Sequence, residues 1–303
     1  MPSVHPILAS VAAVEEHVPL SRFTTIGTGG PARFFARPRT VEELQRLLAW
    51  ADGEAVAVEV VGLGSNLLVH DDGVDALVLK LEGELAAAHV EGDLLVAGGG
   101  APNAVCLHRA RAAGLGGFEF ASAIPGTAGG GVRMNAGAYG REWKDVVVDA
   151  VVADASGART VTLAGLDLSY RHSGLRRGEV VAQVRFRLEP STPGAVKAKA
   201  RELLERRKAT QPTNKRTFGS VFKNPDEGPG AGQLIEECGL KGHRIGGAIV
   251  SPRHANFIEN PGGATSDDCI ALMAEARRRV HERFGVELRH EVQFLGPLEL
   301  PPL

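Results

Sequence analysis

Residues 114 to 140 read GLGGFEFASAIPGTAGGGVRMNAGAYG, the glycine-richest part of the chain. Glycine lacks a Cβ, so its backbone can approach a ligand or another chain segment closely. A run this dense cannot form a regular amphipathic helix or a buried strand along its length. Its Pro-Gly-Thr punctuation, with Met134 and Tyr139 further on, also distinguishes it from a flexible linker. The expectation is a folded loop system that brings backbone against a bound molecule. The protein has 38 glycines in 303 residues, against a usual share of roughly 7%.

A second glycine turn, Gly62-Leu63-Gly64-Ser65-Asn66, follows the apolar stretch VEVV. Such a turn can aim amides at phosphate oxygens, with Ser65 and Asn66 as added donors. A dinucleotide-binding Rossmann loop would need glycine at 67, where Leu67 stands, and then a helix. The pattern therefore suits a dinucleotide held in a different geometry, with Thr127 and Asn135 as donors in the larger cluster. No P-loop sequence is present.

The surrounding pattern mixes short strands and helices. A helix is expected over Thr40 to Trp50, with Thr40 and Glu43 as a capping box and Val41, Leu44, Leu47 and Leu48 on one face. Pro102 is expected to open a helix reaching about Ala113. Short strands are expected within 76–81, 93–101, 146–155, 158–163 and 179–190. Pro190 and Pro193 suggest a domain boundary, giving a region over 1–190 with an internal break near 80–85, then a domain over 191–303. The helix after this boundary is rich in cations. They read as a solvated face, except that arginines near its last turn can reach a ligand. Two further helices are expected, one stopped by Gly239 and one by Gly285 with a stripe of Ile270, Met273, Ala276, Val280 and Phe284. The chain is expected to close on a strand in VELRHEVQFLG.

Composition narrows the class. Charged residues make up 23% and apolar ones 44%, and the net charge is −2. This argues against a general binder of nucleic acid or membrane surfaces, which carries a basic excess. No stretch approaches the ~20 apolar residues of a membrane span. The first twenty residues lack a basic segment ahead of an apolar one, so no signal peptide is expected. Cys106, Cys238 and Cys269 follow no pattern and read as reduced thiols in a cytoplasmic protein. The ten histidines are scattered, so no metal site is expected.

KRTFGSVFKNP, residues 215 to 225, places Ser220 among Lys215, Arg216 and Lys223, with Phe218 and Phe222 on either side. Neither a nucleophile elbow nor a histidine at motif spacing accompanies the serine, which disfavours a hydrolase. Nearby positive charge favours loss of a hydroxyl proton, so Ser220 reads as a candidate proton donor. Arg171, in Tyr170-Arg171-His172-Ser173, can pair with a carboxylate. Glu291 lies on the closing strand after His290.

Eight stretches carry a family resemblance, in order: TTIGTGGPARFF, VGLGSNLLVHDDG, ASAIPGTAGGGVRMNAGAYG, SYRHS, GSVFKNP, AGQLIEECGLKG, HANFIEN and HEVQFLG. Together they make the chain resemble the UDP-N-acetylenolpyruvoylglucosamine reductases from about Pro19 to Gly296. The resemblance implies an α+β protein, with a vanillyl-alcohol-oxidase-like FAD-binding region of two subdomains and a C-terminal α+β substrate domain. It implies FAD and NADPH as cofactors and UDP-N-acetylglucosamine enolpyruvate as substrate. FAD contacts then fall on Gly62, Gly64, Ser65, Asn66, Leu67, Ile124, Pro125, Gly126, Thr127, Gly129, Gly130, Asn135 and Gly137. The catalytic residues fall on Arg171, Ser220 and Glu291, and substrate contacts on Tyr170, Arg207, Lys223, Asn224 and His254. A monomer acting on small molecules, without nucleic acid or membrane, is expected. The chain departs from the pattern at Ala123, where glycine is expected, and lacks the tyrosine-bearing insert of one family branch. Some relatives have cysteine where Ser220 stands. The alternatives are a flavin oxidase on the same FAD fold, or a flavin-binding module without catalysis.

Overall fold

The computed structural model describes residues 14–303. Most of the segment on which no signal peptide is expected lies outside the described residues. The chain forms two compact units. Of the described residues, the first takes 14–18, 33–63 and 75–207, and the second 19–32, 64–74 and 208–303. The proline pair at 190 and 193 does not mark this division, which falls between Arg207 and Lys208 inside one helix. Segments 19–32 and 64–74 join the second unit because Ile26 and Leu68 are fully buried in its core.

The first unit holds two cores. In one, helix α1 (Val41–Gly53) buries Leu44, Leu47, Leu48 and Ala51. It packs with Leu77 and Leu79 of a sheet ordered Val14–Pro19, Pro31–Ala36, Val74–Leu79, Ala57–Val60. The expected capping box is half formed. The Glu43 N–H donates to Thr40 Oγ1 (3.2 Å), but the Glu43 carboxylate takes the Arg39 N–H instead (2.7 Å).

The other core lies against an antiparallel sheet ordered Gly157–Thr162, Val147–Asp154, Val180–Arg187, Leu94–Gly98, Ala88–Glu91. Alternation along these strands sends Ala150, Val152, Val184 and Phe186 into this core. Ala153, Val180 and Ala182 go to the first core. The second core is aromatic. Trp143 meets Phe118, Phe120 and Phe186 at ring-centroid distances of 5.5, 5.4 and 6.3 Å, all steeply inclined. Helices α2 (Asn103–Ala112), α3 (Ala128–Arg133), α4 (Leu163–Leu166) and α5 (Pro193–Thr210) complete this part of the chain. Pro102 sits at the N-cap of α2 rather than inside it.

The second unit packs helices α6 (Ala231–Glu237) and α7 (Ser266–Phe284) with a three-stranded antiparallel sheet, Arg244–Ile245, Ala248–Val250 and Ile258–Glu259. Thr265 and Asp268 form a complete capping box on α7. Gly285, with φ +68°, ends that helix. The expected closing strand is short. Its strand is Gln293–Leu295, which pairs in parallel with Leu67–Val69.

Candidate active site

The glycine cluster in the first unit is laid along the turn that leaves strand Leu94–Gly98. The Ala128 N–H donates to the Ala101 carbonyl (2.9 Å) and the Gly129 N–H to the Gly99 carbonyl (2.8 Å). The Asn103 N–H reaches the Gly126 carbonyl (3.0 Å), and its Nδ2 reaches the Ile124 carbonyl (2.9 Å). Thr127 caps α3 by accepting the Gly130 N–H on Oγ1 (3.3 Å). The first amides of α3 are thus engaged inside the protein. Among the cluster's glycines, Gly130 is exposed and Gly126 half-buried.

The glycines serve two purposes. A Cβ on Gly62 would lie 2.9 Å from Thr127 Oγ1, and one on Gly129 would lie 2.9 Å from the Gly99 carbonyl. A Cβ on Gly131 would lie 2.2 Å from Trp143 Cε2. These three glycines allow the loop to close upon itself. Gly126 and Gly130 differ: the nearest protein atoms to their added Cβ are at 3.5 and 3.4 Å, ordinary contact. Gly130 is exposed although it sits within a helix, and no protein neighbour requires it to be glycine. Pro125 beside Gly126 is exposed, and Ile124 half-buried.

Asn135 is fully buried at a positive φ of +37°. Its Nδ2 donates to Glu142 Oε2 and the Ser169 carbonyl, both at 3.0 Å, and its Oδ1 accepts the Lys144 N–H (2.9 Å). Its side chain therefore fastens two other segments, 142–144 and the turn at Ser169. Arg171 also has a positive φ, +53°, in a turn closed by Ser169 and His172. Its guanidinium donates to the Gly137 carbonyl (3.1 Å) and lies 5.0 Å from the Tyr170 ring centre. Tyr139, two residues on from Gly137, has φ +55°. The Arg206 guanidinium sits 4.7 Å from the Tyr139 ring centre. Burial lowers the pKa of Arg207, and the nearby Tyr139 phenol opposes that shift. Three arginines thus converge on the hairpin 137–140. Arg171 and Arg207 are expected site residues, whereas the contact between Tyr139 and Arg206 has no counterpart in the sequence pattern beyond a tyrosine between two small residues, Ala138 and Gly140.

In the second unit, Phe218, Val221 and Phe222 are buried while Ser220 is half-exposed. The buried aromatic residues anchor the loop on either side of Ser220. The Glu291 N–H donates to the Val221 carbonyl (2.8 Å), the Lys223 N–H donates to the Arg289 carbonyl (2.9 Å), and Phe222 bridges His290. The segments carrying Ser220 and Glu291 are therefore paired side by side. The carbonyl of Glu291 accepts from Asn66 Nδ2 (3.3 Å).

Gly64 must be glycine, since its φ is +64° and a Cβ would fall 1.9 Å from the Phe23 carbonyl. Ser65, Asn66 and Leu67 follow in this second unit, with Leu67 paired to Gln293. Asn224 Oδ1 accepts the first amide of α6, from Ala231 (3.0 Å). His254 packs against Gly232, where a Cβ would approach its Cε1 to 2.7 Å. Its Nδ1 accepts the Asn256 N–H (3.2 Å), and burial lowers its pKa, with the Lys241 charge adding to the effect.

Comparison with known proteins decides the family. Residues 211–295 match the family model "UDP-N-acetylenolpyruvoylglucosamine reductase, C-terminal domain", and residues 32–162 match "FAD binding domain". The chain is 48% identical over 284 residues to the UDP-N-acetylenolpyruvoylglucosamine reductase of Anaeromyxobacter dehalogenans (strain 2CP-C), covering 94% of this chain and 85% of that protein. It is 44% identical over 292 residues to the second such reductase of Symbiobacterium thermophilum, covering 96% and 94%. The chain belongs to the UDP-N-acetylenolpyruvoylglucosamine reductase family. The crystal structure of the Thermus caldophilus reductase superposes with a TM-score of 0.82 at 36% identity, covering 94% of this chain and all of that one. Like that reductase, the protein is an FAD-dependent oxidoreductase of α+β fold. At Gly126 and Gly130 an added Cβ would meet protein atoms only at ordinary contact distance, so the backbone there leaves room that a flat cofactor could use.

Proposed function

We propose that this protein reduces UDP-N-acetylglucosamine enolpyruvate to UDP-N-acetylmuramate in peptidoglycan precursor synthesis, with NADPH as reductant. The observation that carries this reading is the pairing of 221–223 with 289–291, which brings Ser220 and Glu291 onto neighbouring backbone. FAD, when bound, supplies the hydride chemistry. The protein's task is then to hold the enolpyruvyl group, stabilise charge and deliver one proton.

Addition of hydride to the distal vinyl carbon places negative charge on the adjoining carbon and its carboxylate. Arg171 and Glu291 stabilise that charge in our account, Arg171 by its fixed positive charge and Glu291 as a hydrogen-bond donor when protonated. Ser220 delivers its proton to the carbon that bears the ether oxygen. A serine hydroxyl is a weak acid, so Lys215, Arg216 and Lys223, close to it in sequence, are assigned the task of favouring the deprotonated oxygen. Lys223 is also assigned to the nucleotide's diphosphate, with Arg207, Tyr170 and His254 as further substrate contacts. Asn224 holds the start of α6 and joins the same group. FAD is assigned to Gly62, Gly64–Leu67, Ile124–Thr127, Gly129, Gly130, Asn135 and Gly137. Within that set Gly126 and Gly130 are assigned direct contact with FAD, and Gly62, Gly129, Thr127 and Asn135 the shaping of the loops.

No helix among the described residues is long and apolar enough to cross a membrane. Cys106, Cys238 and Cys269 are free thiols, which suits a reducing, cytoplasmic compartment. The test is steady-state turnover. NADPH consumption should depend on the enolpyruvyl nucleotide and yield UDP-N-acetylmuramate in equal amount. NADPH consumption that is indifferent to this nucleotide and matched by peroxide would replace the reading with an oxidase.

A further inference from the structure

Within the stretch HANFIEN, Asn256 has no part in the chemistry above, yet its buried side chain makes two hydrogen bonds to the loop that carries Ser220. Asn256 is 4% exposed. Its Oδ1 accepts the Phe222 N–H (2.9 Å) and its Nδ2 donates to the Phe222 carbonyl (2.8 Å). Its own carbonyl accepts the Val221 N–H (2.9 Å). One residue therefore meets three backbone groups immediately after Ser220. The pairing with 289–291 uses the Val221 carbonyl and the Lys223 N–H, and Asn256 takes both peptide groups of Phe222. The strand segment that links Ser220 to Glu291 is thus held on one edge by residues 289–291 and by Asn256 otherwise.

The side-chain type follows from the geometry. An asparagine amide is a peptide unit on a short stem, with one acceptor and one donor held in a plane. It completes the backbone of buried Phe222 as a neighbouring strand would. Leucine has neither group, and aspartate loses the donor and sets a carboxylate against the Phe222 carbonyl. The N–H of Asn256 is itself held by His254 Nδ1, which fixes the backbone from which the amide projects.

We infer that Asn256 is a positioning residue for proton delivery, holding the Ser220–Phe222 backbone so that Ser220 and Glu291 keep their alignment. It touches neither substrate nor cofactor and acts only through Val221 and Phe222. This rests on the reading of Ser220 as proton donor, so Ser220→Ala is measured alongside.

The experiment separates the two half-reactions of the holoenzyme by anaerobic stopped flow, following flavin absorbance and normalising to bound flavin. The variants are Asn256→Asp and Asn256→Ser, the latter small enough to fold if the buried carboxylate is not tolerated. Reduction by NADPH does not call on Ser220. It should stay within about twofold of wild type, while reoxidation by the enolpyruvyl nucleotide slows by about tenfold or more, the effect of losing one buried hydrogen bond. For Asn256→Asp, reoxidation relative to wild type should recover as pH falls, because the protonated acid again donates to the Phe222 carbonyl. Reoxidation at the wild-type rate, or both half-reactions slowed in proportion, overturns the inference. If Ser220→Ala reoxidises at the wild-type rate, the proton-donor reading fails first. If Ser220→Ala is slow and neither Asn256 variant is, only the positioning role fails.

Discussion

Adjacent glycines in α3 should respond to alanine in opposite directions. Gly130 is an exposed helix residue, and an added Cβ would meet nothing closer than Thr127 Oγ1 at 3.4 Å. Replacing helical glycine by alanine is worth up to roughly 1 kcal/mol, so flavin-free Gly130→Ala should be more stable by about 0.5–1 kcal/mol. The same methyl would stand on the surface assigned to FAD and should weaken FAD binding at least tenfold, about 1.4 kcal/mol. In Gly131→Ala the Cβ would lie 2.2 Å from Cε2 and 2.5 Å from Cζ2 of Trp143. That indole is fully buried and ringed by Phe118, Phe120 and Phe186, so it cannot swing aside. Overpacking of this kind costs about 3 kcal/mol, more in a site that does not relax. The assay is a denaturant titration of each flavin-stripped variant, followed by fluorescence titration with FAD. Gly130→Ala that binds FAD as tightly as wild type would refute the assignment of that surface. Gly131→Ala as stable as wild type would refute the steric account.

Other predictions test the frame around the site. Gly64→Ala sets a Cβ 1.9 Å from the Phe23 carbonyl at a φ of +64° and should cost about 2 kcal/mol or more in thermal unfolding; an unchanged melting temperature would contradict the geometry. Burial raises the pKa of Glu179, but the Arg176 backbone and guanidinium, together with Arg159, more than offset this and leave it lowered. A lowered carboxyl pKa contributes stability above the ordinary glutamate value of 4.5, lost as pH falls through the folded value. Wild type should therefore lose its advantage over Glu179→Gln as the pH is taken below that range, read from urea midpoints. An advantage that does not change with pH would show that the carboxylate's charge is not what matters.

Much of this architecture was legible in local sequence. The periodic leucines of α1, and Thr265, Asp268 and Gly285 around α7, encode those helices in neighbouring residues. The unit boundary was not legible, because 19–32 and 64–74 join the second unit through Ile26 and Leu68, which pack on residues far along the chain. The closing strand was overextended for a related reason. Residues 289–291 pair with 221–223 in an isolated bridge rather than in a sheet, a contact set by the loop's buried aromatics. At the site, residue types were readable but their tasks were not. Asn135 and Asn224 look like ligand donors in sequence, and only the fold shows that their amides also bond to Glu142, Lys144 and Ser169 and to Ala231. Tyr139 and Arg206 meet through a cation–π contact across 67 positions, which no local pattern records. The glycines of α3 look alike in sequence and separate only when each missing Cβ is set against its neighbours.

The measurement that bears most directly on the account is a single anaerobic turnover of NADPH-reduced enzyme with the enolpyruvyl nucleotide, in wild type, Ser220→Ala and Ser220→Cys. Flavin reoxidation and UDP-N-acetylmuramate formation are followed together. The account predicts rapid, matched appearance of oxidised flavin and product in wild type, a slowing of at least about a hundredfold in Ser220→Ala, as loss of a general acid gives, and partial recovery in Ser220→Cys. Ser220→Ala turning over at the wild-type rate would contradict it.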